Sequence, residues 1–354
     1  MPELLSIPAT GYGIVHMEKD RFVNGNILYI ESHAVKTINL STNESWLIAG
    51  NATDRGYRNG KGNFVRFHAP FSFHQRSSTE VIIFDSMNSC IRILSRLTNL
   101  TMPLAGLCIT PGNKDGNFTT TRFSQPEKNV EISSNAIAIT DVKNNCIMML
   151  DFALEQITTL VQLALPLVGI TMKPDSEDLI FSFSGGLGKV NFRTLEVEYT
   201  TETNYVGYRD GTLDAAPRTG AIFSLKPEEL LFLSNKVMVV ADLYNHMLRI
   251  VDYENFLVSS VCDPAFNGSL SHIRAGNITS CRLSYPRSLL HMPGTNRILI
   301  GFHQSLGYIE VSSSPTTPTA KMTSTSKVQP TPQSVGLPVK SSVTTAHPVQ
   351  LECE

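Results

Sequence analysis

Charge is scarce in this sequence, and neither sign is in surplus. Only 17% of its 354 residues are charged, and 31 acids set against 29 bases leave a formal net charge of −2. A protein that holds nucleic acid by neutralising phosphates needs a basic excess to release counterions, so that class is excluded. Long apolar runs are missing as well. The longest uncharged apolar stretch, Leu160 to Met172, is 13 residues and contains Pro166, short of the ~20 that cross a bilayer. The first 25 residues carry Glu3, His16, Glu18, Lys19 and Asp20, which leaves no apolar segment of the signal-peptide kind. Either the chain is cytosolic or its N-terminus continues upstream. Catalytic signatures are absent too: no Gly-x-Ser-x-Gly elbow, phosphate loop or His-Glu-x-x-His helix occurs. Gly185-Gly186-Leu187-Gly188-Lys189 lies between two strand patterns, so it reads as a turn, not as a phosphate cradle at a helix start.

What is present points outward. At 42% hydrophobic, the chain has ample material for a core. Asn-x-Ser/Thr sequons stand at Asn39, Asn43, Asn51, Asn99, Asn117, Asn267 and Asn277, and glycan attachment there needs exposed loops in a secretory compartment. In Ser312 to Pro348, 16 of 37 residues are Ser or Thr, 6 are Pro and none is acidic. That composition reads as an unfolded, O-glycosylated stalk over residues 312–350. Leu351 to Glu354, with the lone Cys353, are expected to open a further module. The other cysteines show no metal-ligand spacing. Cys262 and Cys281 bracket one loop and form the favoured bridge, while Cys108 has Cys90 or Cys146 as its partner.

Internal repetition decides the fold. Val81 to Asp85 leading to Ile91-Arg92-Ile93, Ala136 to Asp141 leading to Ile147-Met148-Met149, and Val237 to Asp242 leading to Leu248-Arg249-Ile250 are β-branched runs joined by a polar turn. Leu179 to Ser184 leading to Val190 is a weaker copy, and each reads as a hairpin. The turns begin Asp85-x-x-Asn88, Asp141-x-x-Asn144 and Asp242-x-x-Asn245. A turn aspartate accepts nearby backbone N–H groups, and the asparagine is expected to take the left-handed conformation. The register holds upstream. A proline stands fifteen residues before the turn at Pro70, Pro126, Pro227 and, with Gly301 as the turn, Pro286. A glycine stands thirty-five before it at Gly50, Gly106 and Gly207, and an arginine nineteen before it at Arg66, Arg122 and Arg282. Turn positions are spaced by 56, 43, 58 and 59 residues, and a first copy, Asn26 to Glu31, lies 54 before Asp85. Six units of short strands at this period make an all-β, six-bladed β-propeller over residues 1–311.

The loop glycine, the proline leading into each blade, the strand ending in Asp and Asp242-Leu-Tyr-Asn245-His246-Met-Leu-Arg249-Ile250 together resemble the NHL-repeat family. Ser184-Gly185-Gly186 and Gly301 depart from its pattern. The last unit lacks an outer strand before the stalk, and Pro2 to Pro8 is expected to supply it, sealing the ring edge. Related propellers include lactonase-like and amidating-lyase-like metalloenzymes, the alternative reading. That alternative would draw on His33 and His303, expected to be neighbours at the ring closure. Without a third ligand, both read as solvated turn histidines, and His246 as part of the repeat. Arg66, Arg122 and Arg282 read as packing against their Phe or Leu neighbours and bonding carbonyls. No catalytic residue, metal or cofactor is expected. The resemblance and the absent chemistry imply an extracellular or cell-surface module that binds a protein or glycan, joined to membrane only through a segment outside this chain.

Overall fold

A computed structural model describes residues 13–201, 203, 205–215, 219–261, 283, 285–292, 295, 297–302, 306–311 and 320–323. These residues form six antiparallel sheets arranged as the blades of a β-propeller. The innermost strands of blades 1 to 6 are Ile14–Lys19, Ser72–Gln75, Pro126–Ser133, Leu167–Met172, Pro227–Phe232 and Ser288–Met292. The chain then steps outward through each sheet. In blade 2 the order continues as Glu80–Asp85, Cys90–Ser95 and Leu100–Ala105. The segments leading into blades 2, 3 and 5 first run to the rim, where Gly60–Lys61, Gly116–Asn117 and Gly211–Thr212 add a fifth strand to the outer edge before the chain returns inward. Blade 4 has no such excursion, which accounts for its spacing of 43.

No blade is thick enough to bury its own faces, so the core sits between blades. Each junction holds one apolar cluster. Between blades 1 and 2, Leu28, Ile30 and Val35 meet Phe67, Phe73 and Ile83. Between blades 6 and 1, Leu299, Leu306 and Tyr308 meet Ile14, Tyr29 and Ile38, and the Ile14 N–H donates to the Phe302 carbonyl at 3.3 Å. The ring therefore closes by side-chain packing between two complete sheets. The outer strand expected from Pro2 to Pro8 is supplied instead by Ala320–Thr323, which pairs with Leu306–Val311. An edge strand needs only backbone groups, so a Ser/Thr-rich composition does not forbid it. Residues 1–12 lie outside the described residues.

The Asp-x-x-Asn turns carry the local order. Each closes as a short 3-10 turn: Ser86–Asn88, Val142–Asn144 and Leu243–Asn245. The left-handed residue is the one after the asparagine, namely Ser89, Asn145 and His246 with φ of 57°, 50° and 57°, which corrects the expectation for Asn88, Asn144 and Asn245. Their amides are used otherwise. Asn88 Nδ2 donates to Asp85 Oδ2 at 2.8 Å and to the Gly56 carbonyl at 2.8 Å. Asn144 repeats this with Asp141 and Gly112, and Asn245 with Asp242 and Gly207. Gly207 is thus the counterpart of Gly56 and Gly112, not of Gly50 and Gly106. The offset of thirty-five matched it wrongly because the loop to Phe223 takes sixteen residues where those to Phe67 and Phe123 take eleven. Gly50 and Gly106 do need glycine, at φ 98° and 81°, since a Cβ would strike the His33 carbonyl and the Phe123 ring.

Two arginines complete the arrangement. Arg92 is fully buried, with Nη1 donating to Asp85 Oδ2 at 3.0 Å and to the Arg66 carbonyl, and Nη2 to the Arg58 carbonyl. Its guanidinium lies over Phe67 at 4.7 Å and Tyr57 at 5.3 Å. Arg249 makes the same set with Asp242, Ile222, Arg209, Phe223 and Tyr208. Blade 3 has Met148 in this place. Arg66 and Arg122 bond nearby carbonyls; Arg282 lies outside the described residues.

Removing one partner leaves the other charge buried and uncompensated. Arg92→Met is expected to cost about 3–5 kcal/mol in urea unfolding, and the pair Asp85→Asn with Arg92→Met less than Arg92→Met alone. The single disulfide among the described residues joins Cys90 to Cys108 across 18 residues. Replacing both by Ser is expected to lower stability by about 3 kcal/mol, read from the same denaturation curves in oxidised and reduced protein.

Candidate binding face and channel mouth

The Asp turns and the segments joining successive blades meet on one face, because both lie at the end where the inner strands begin. At that end stand the residues after the blade prolines: Phe71, Glu127, Glu228 and Arg287 at the channel mouth, and Leu167 in the core between blades 3 and 4. Glu127 and Glu228 are buried, at 8% and 0% exposure. Among the described residues, Glu127 Oε2 and both carboxylate oxygens of Glu228 accept no hydrogen bond, and Arg287 Nε and Ser288 Oγ also lack partners. Lys226 Nζ stands 3.8 Å from Glu228 Oε2. Lys128 Nζ reaches past blade 4 to Glu229 Oε2 at 2.5 Å. Both ammonium groups approach the Phe71 ring, at 5.2 Å for Lys128 and 4.7 Å for Lys226. Blade 4 allows this closeness through Gly169, whose missing Cβ would strike the Glu228 carbonyl.

Three carboxylates thus face three cations at a site where Glu127 and Glu228 are buried. Burial pushes the Glu127 carboxyl up to about 7; Lys226 opposes the rise and Glu228 adds to it. At the opposite end of the channel the carboxylates are paired, although the buried His16 Nδ1 is without a partner among the described residues. Glu18 bonds His16 and Gln75, and Arg21 bonds Glu131. Among the described residues, the buried carboxylate oxygens without donors are thus those of Glu127 and Glu228, at the loop face.

Exposed apolar side chains surround this mouth. Met87, Leu107 and Ile109 stand on the segments of blades 2 and 3, and Tyr205, Val206, Leu225 and Tyr244 on those of blades 4 and 5. Ile109 is 65% exposed, yet it holds φ of 59°, a conformation that a β-branched residue adopts only under strain. Its neighbour Cys108 is tied to Cys90, and its N–H donates to the Asn88 carbonyl at 2.7 Å. The fold keeps an unfavourable backbone in place and leaves the side chain in solvent.

The sequence-derived residues fall as follows. Asp85, Asp141 and Asp242 are buried turn residues; Pro126 and Pro227 open inner strands, and Pro70 and Pro286 lie just before them. Asn43, Asn99 and Asn117 are exposed, Asn51 is half-buried, and the half-buried Asn39 spends its amide N–H on Asn26. Asn267, Asn277, Cys262, Cys281 and Cys353 lie outside the described residues. Cys108 pairs with Cys90, and Cys146 is a buried free thiol. His33 is buried against His68, ring centroids 6.2 Å apart, and accepts the Ala69 N–H at Nδ1. It is therefore not a solvated turn residue, and His303 lies outside the described residues. His246 accepts the Tyr285 N–H at the junction of blades 5 and 6. Among the described residues no three His, Cys, Asp or Glu side chains are grouped to hold a metal ion. Sequence reasoning missed Glu127 and Glu228, although Pro126-Glu127 and Pro227-Glu228 repeat an acid after the blade proline.

Solved structures with the same architecture come from several sources. An auxiliary nutrient-binding protein from Bacteroides thetaiotaomicron is 12% identical, with a TM-score of 0.61 over 84% of this chain and 69% of its own. One from Bacteroides ovatus is 11% identical, with a TM-score of 0.61 over 88% and 69%. The extracellular domain of a putative one-component system from B. thetaiotaomicron is 13% identical, with a TM-score of 0.53 over 88% of this chain and 43% of its own. At these identities the likeness is one of β-propeller fold. No family model matches the chain, and no curated protein matches it.

The raised Glu127 carboxyl sets a pH dependence. Between the unfolded value near 4.5 and the folded value near 7, the native state holds a proton that the unfolded chain has lost. Stability is therefore greatest at the acid side of this window and falls as pH rises through 7. Glu127→Gln is expected to flatten that slope and raise stability at pH 8 by up to about 3 kcal/mol, measured as urea midpoints from pH 5 to 8.

Proposed function

We propose that this chain is an extracellular, NHL-type propeller that binds a protein or glycan partner through its loop face. The observation that carries this reading is Ile109, a strained β-branched residue held exposed beside a disulfide, at the rim of a mouth whose buried carboxylates lack donors. Strain of this kind persists where the surroundings enforce it, and it concentrates at ligand clamps. An exposed apolar rim around a few unmet polar groups is also the composition of a recognition site. Two further observations support the compartment. The Cys90–Cys108 disulfide belongs to an oxidising environment, and three sequon asparagines stand exposed. The similar solved structures described as nutrient-binding and as an extracellular domain agree with a binding role.

The strain and the binding are expected to trade against each other. Ile109→Gly should raise stability by about 1 kcal/mol by relieving the left-handed conformation. It should also lose binding of the secreted, multimerised propeller to arrays of defined glycans and cell-surface ectodomains. Tyr244→Ser should lose the same array signals, while Leu154→Ser, at a turn on the opposite face, should keep them. Array signals that persist in both loop-face variants would sink the assignment.

A further inference from the structure

A second recess lies away from the loop face, at the seam of blades 1 and 2. It holds about 240 Å³ and is lined by Asp20, Val23, Trp46, Leu47, Arg96 and Asn99, among others. That volume is below the roughly 300–1,000 Å³ that encloses a drug-sized ligand, and suits one sugar ring. Trp46 is the only tryptophan of the chain, and it is 46% exposed here beside Leu47 and Val23. The polar side is set by Asp20, 2% exposed. Its carboxylate is fixed by Arg96 and by the N–H groups of Phe22 and Val23. Asn99 comes from blade 2 and is itself the acceptor of the sequon Asn99-Leu100-Thr101. It sits at a tight turn with φ of 55°.

We propose that this groove seats the first N-acetylglucosamine of a glycan on Asn99, the apolar face of the sugar lying on the Trp46 indole and its hydroxyl and acetamido groups meeting Asp20 and Arg96. The assignment rests on the reading of the chain as a secreted glycoprotein. The occupant is argued from attachment, since the asparagine that would carry the sugar is part of the groove wall, and from chemistry, since a half-exposed aromatic beside a fixed ion pair matches the two faces of a pyranose ring. Thr101 is fully buried in the outer strand of blade 2, so the transferase reaches the sequon before that strand docks. The glycan is then in place when blades 1 and 2 close on each other.

The lone tryptophan makes the test direct. The full chain is secreted from a mammalian host, occupancy at Asn99 is read by peptide mass spectrometry, and iodide quenching of Trp46 is compared before and after trimming to a single N-acetylglucosamine and after complete enzymatic removal. Trimming should leave quenching unchanged, whereas complete removal, or Asn99→Gln, should raise it about twofold as the covered part of the ring is exposed. Asn43→Gln, whose sequon precedes Trp46 in the chain, should have no effect. Equal quenching with and without an occupied Asn99, or exposure on Asn43→Gln instead, would overturn the groove assignment while leaving the glycoprotein reading intact. An unmodified Asn99 together with modified Asn43 and Asn117 would also overturn it, and a wholly unmodified chain would sink the glycoprotein reading first.

Discussion

A buried aspartate at the end of a strand is the constraint on which most of this structure depends. Asp85, Asp141 and Asp242 are each fully buried, and a carboxylate so placed must find donors or be neutralised. Each finds them in two separate pieces of chain. One oxygen takes the N–H of the segment entering the inner strand, from His68, Ser124 or Ser224. The other takes the turn asparagine, whose amide reaches on to the loop glycine carbonyl. One side chain thus fixes the turn, the long connecting segment and the start of the inner strand. Even with Arg92 alongside, burial pushes Asp85 up to about 6, a measure of how much the surrounding packing must supply.

Blades that lack this aspartate join their neighbours by other means. In blade 4 the Gly185 N–H donates to Ser224 and its carbonyl accepts from Phe223, while Ser184 Oγ donates to the Leu225 carbonyl. Gly185 holds φ of 99°, and a Cβ would meet the Tyr205 carbonyl at 2.2 Å. The Ser-Gly-Gly sequence is therefore the blade's own solution to the same connection. In blade 1 the His33 imidazole accepts the Ala69 N–H from the segment entering blade 2, as His246 of blade 5 accepts the Tyr285 N–H from the segment entering blade 6.

Much of the fold was legible because repetition reports architecture without reference to contacts. The Asp-x-x-Asn turns, the prolines and the hairpins fall where spacing placed them. What spacing could not supply is any quantity that depends on loop length or on a partner strand. Gly207 was matched to the wrong glycines because the path to Phe223 is longer. The pairing of Ala320–Thr323 with Leu306–Val311 involves backbone groups and leaves no compositional mark. The channel mouth was hidden for a different reason. Glu127, Glu228, Lys226 and Arg287 are far apart in sequence and ordinary in type, and only the ring brings them together. Arg92 and Arg249 stand seven residues past their turn aspartates, but blade 3 has Met148 at that place, so the repeat does not mark the position as one for arginine.

The two cysteines at equivalent positions show how the scaffold tolerates the chemistry of its loops. Cys90 and Cys146 each stand five residues past the turn aspartate, at the start of the strand behind it. Cys90 finds Cys108 on the segment leading into blade 3 and fastens the base of the strained turn at Ile109. Cys146 has no such neighbour, and burial pushes its thiol up to about 12, with Asp141 and Asp115 adding to the rise. Exchange proceeds through the thiolate, so burial makes Cys146 a poor nucleophile, whereas its counterpart Cys90 is held in a bridge.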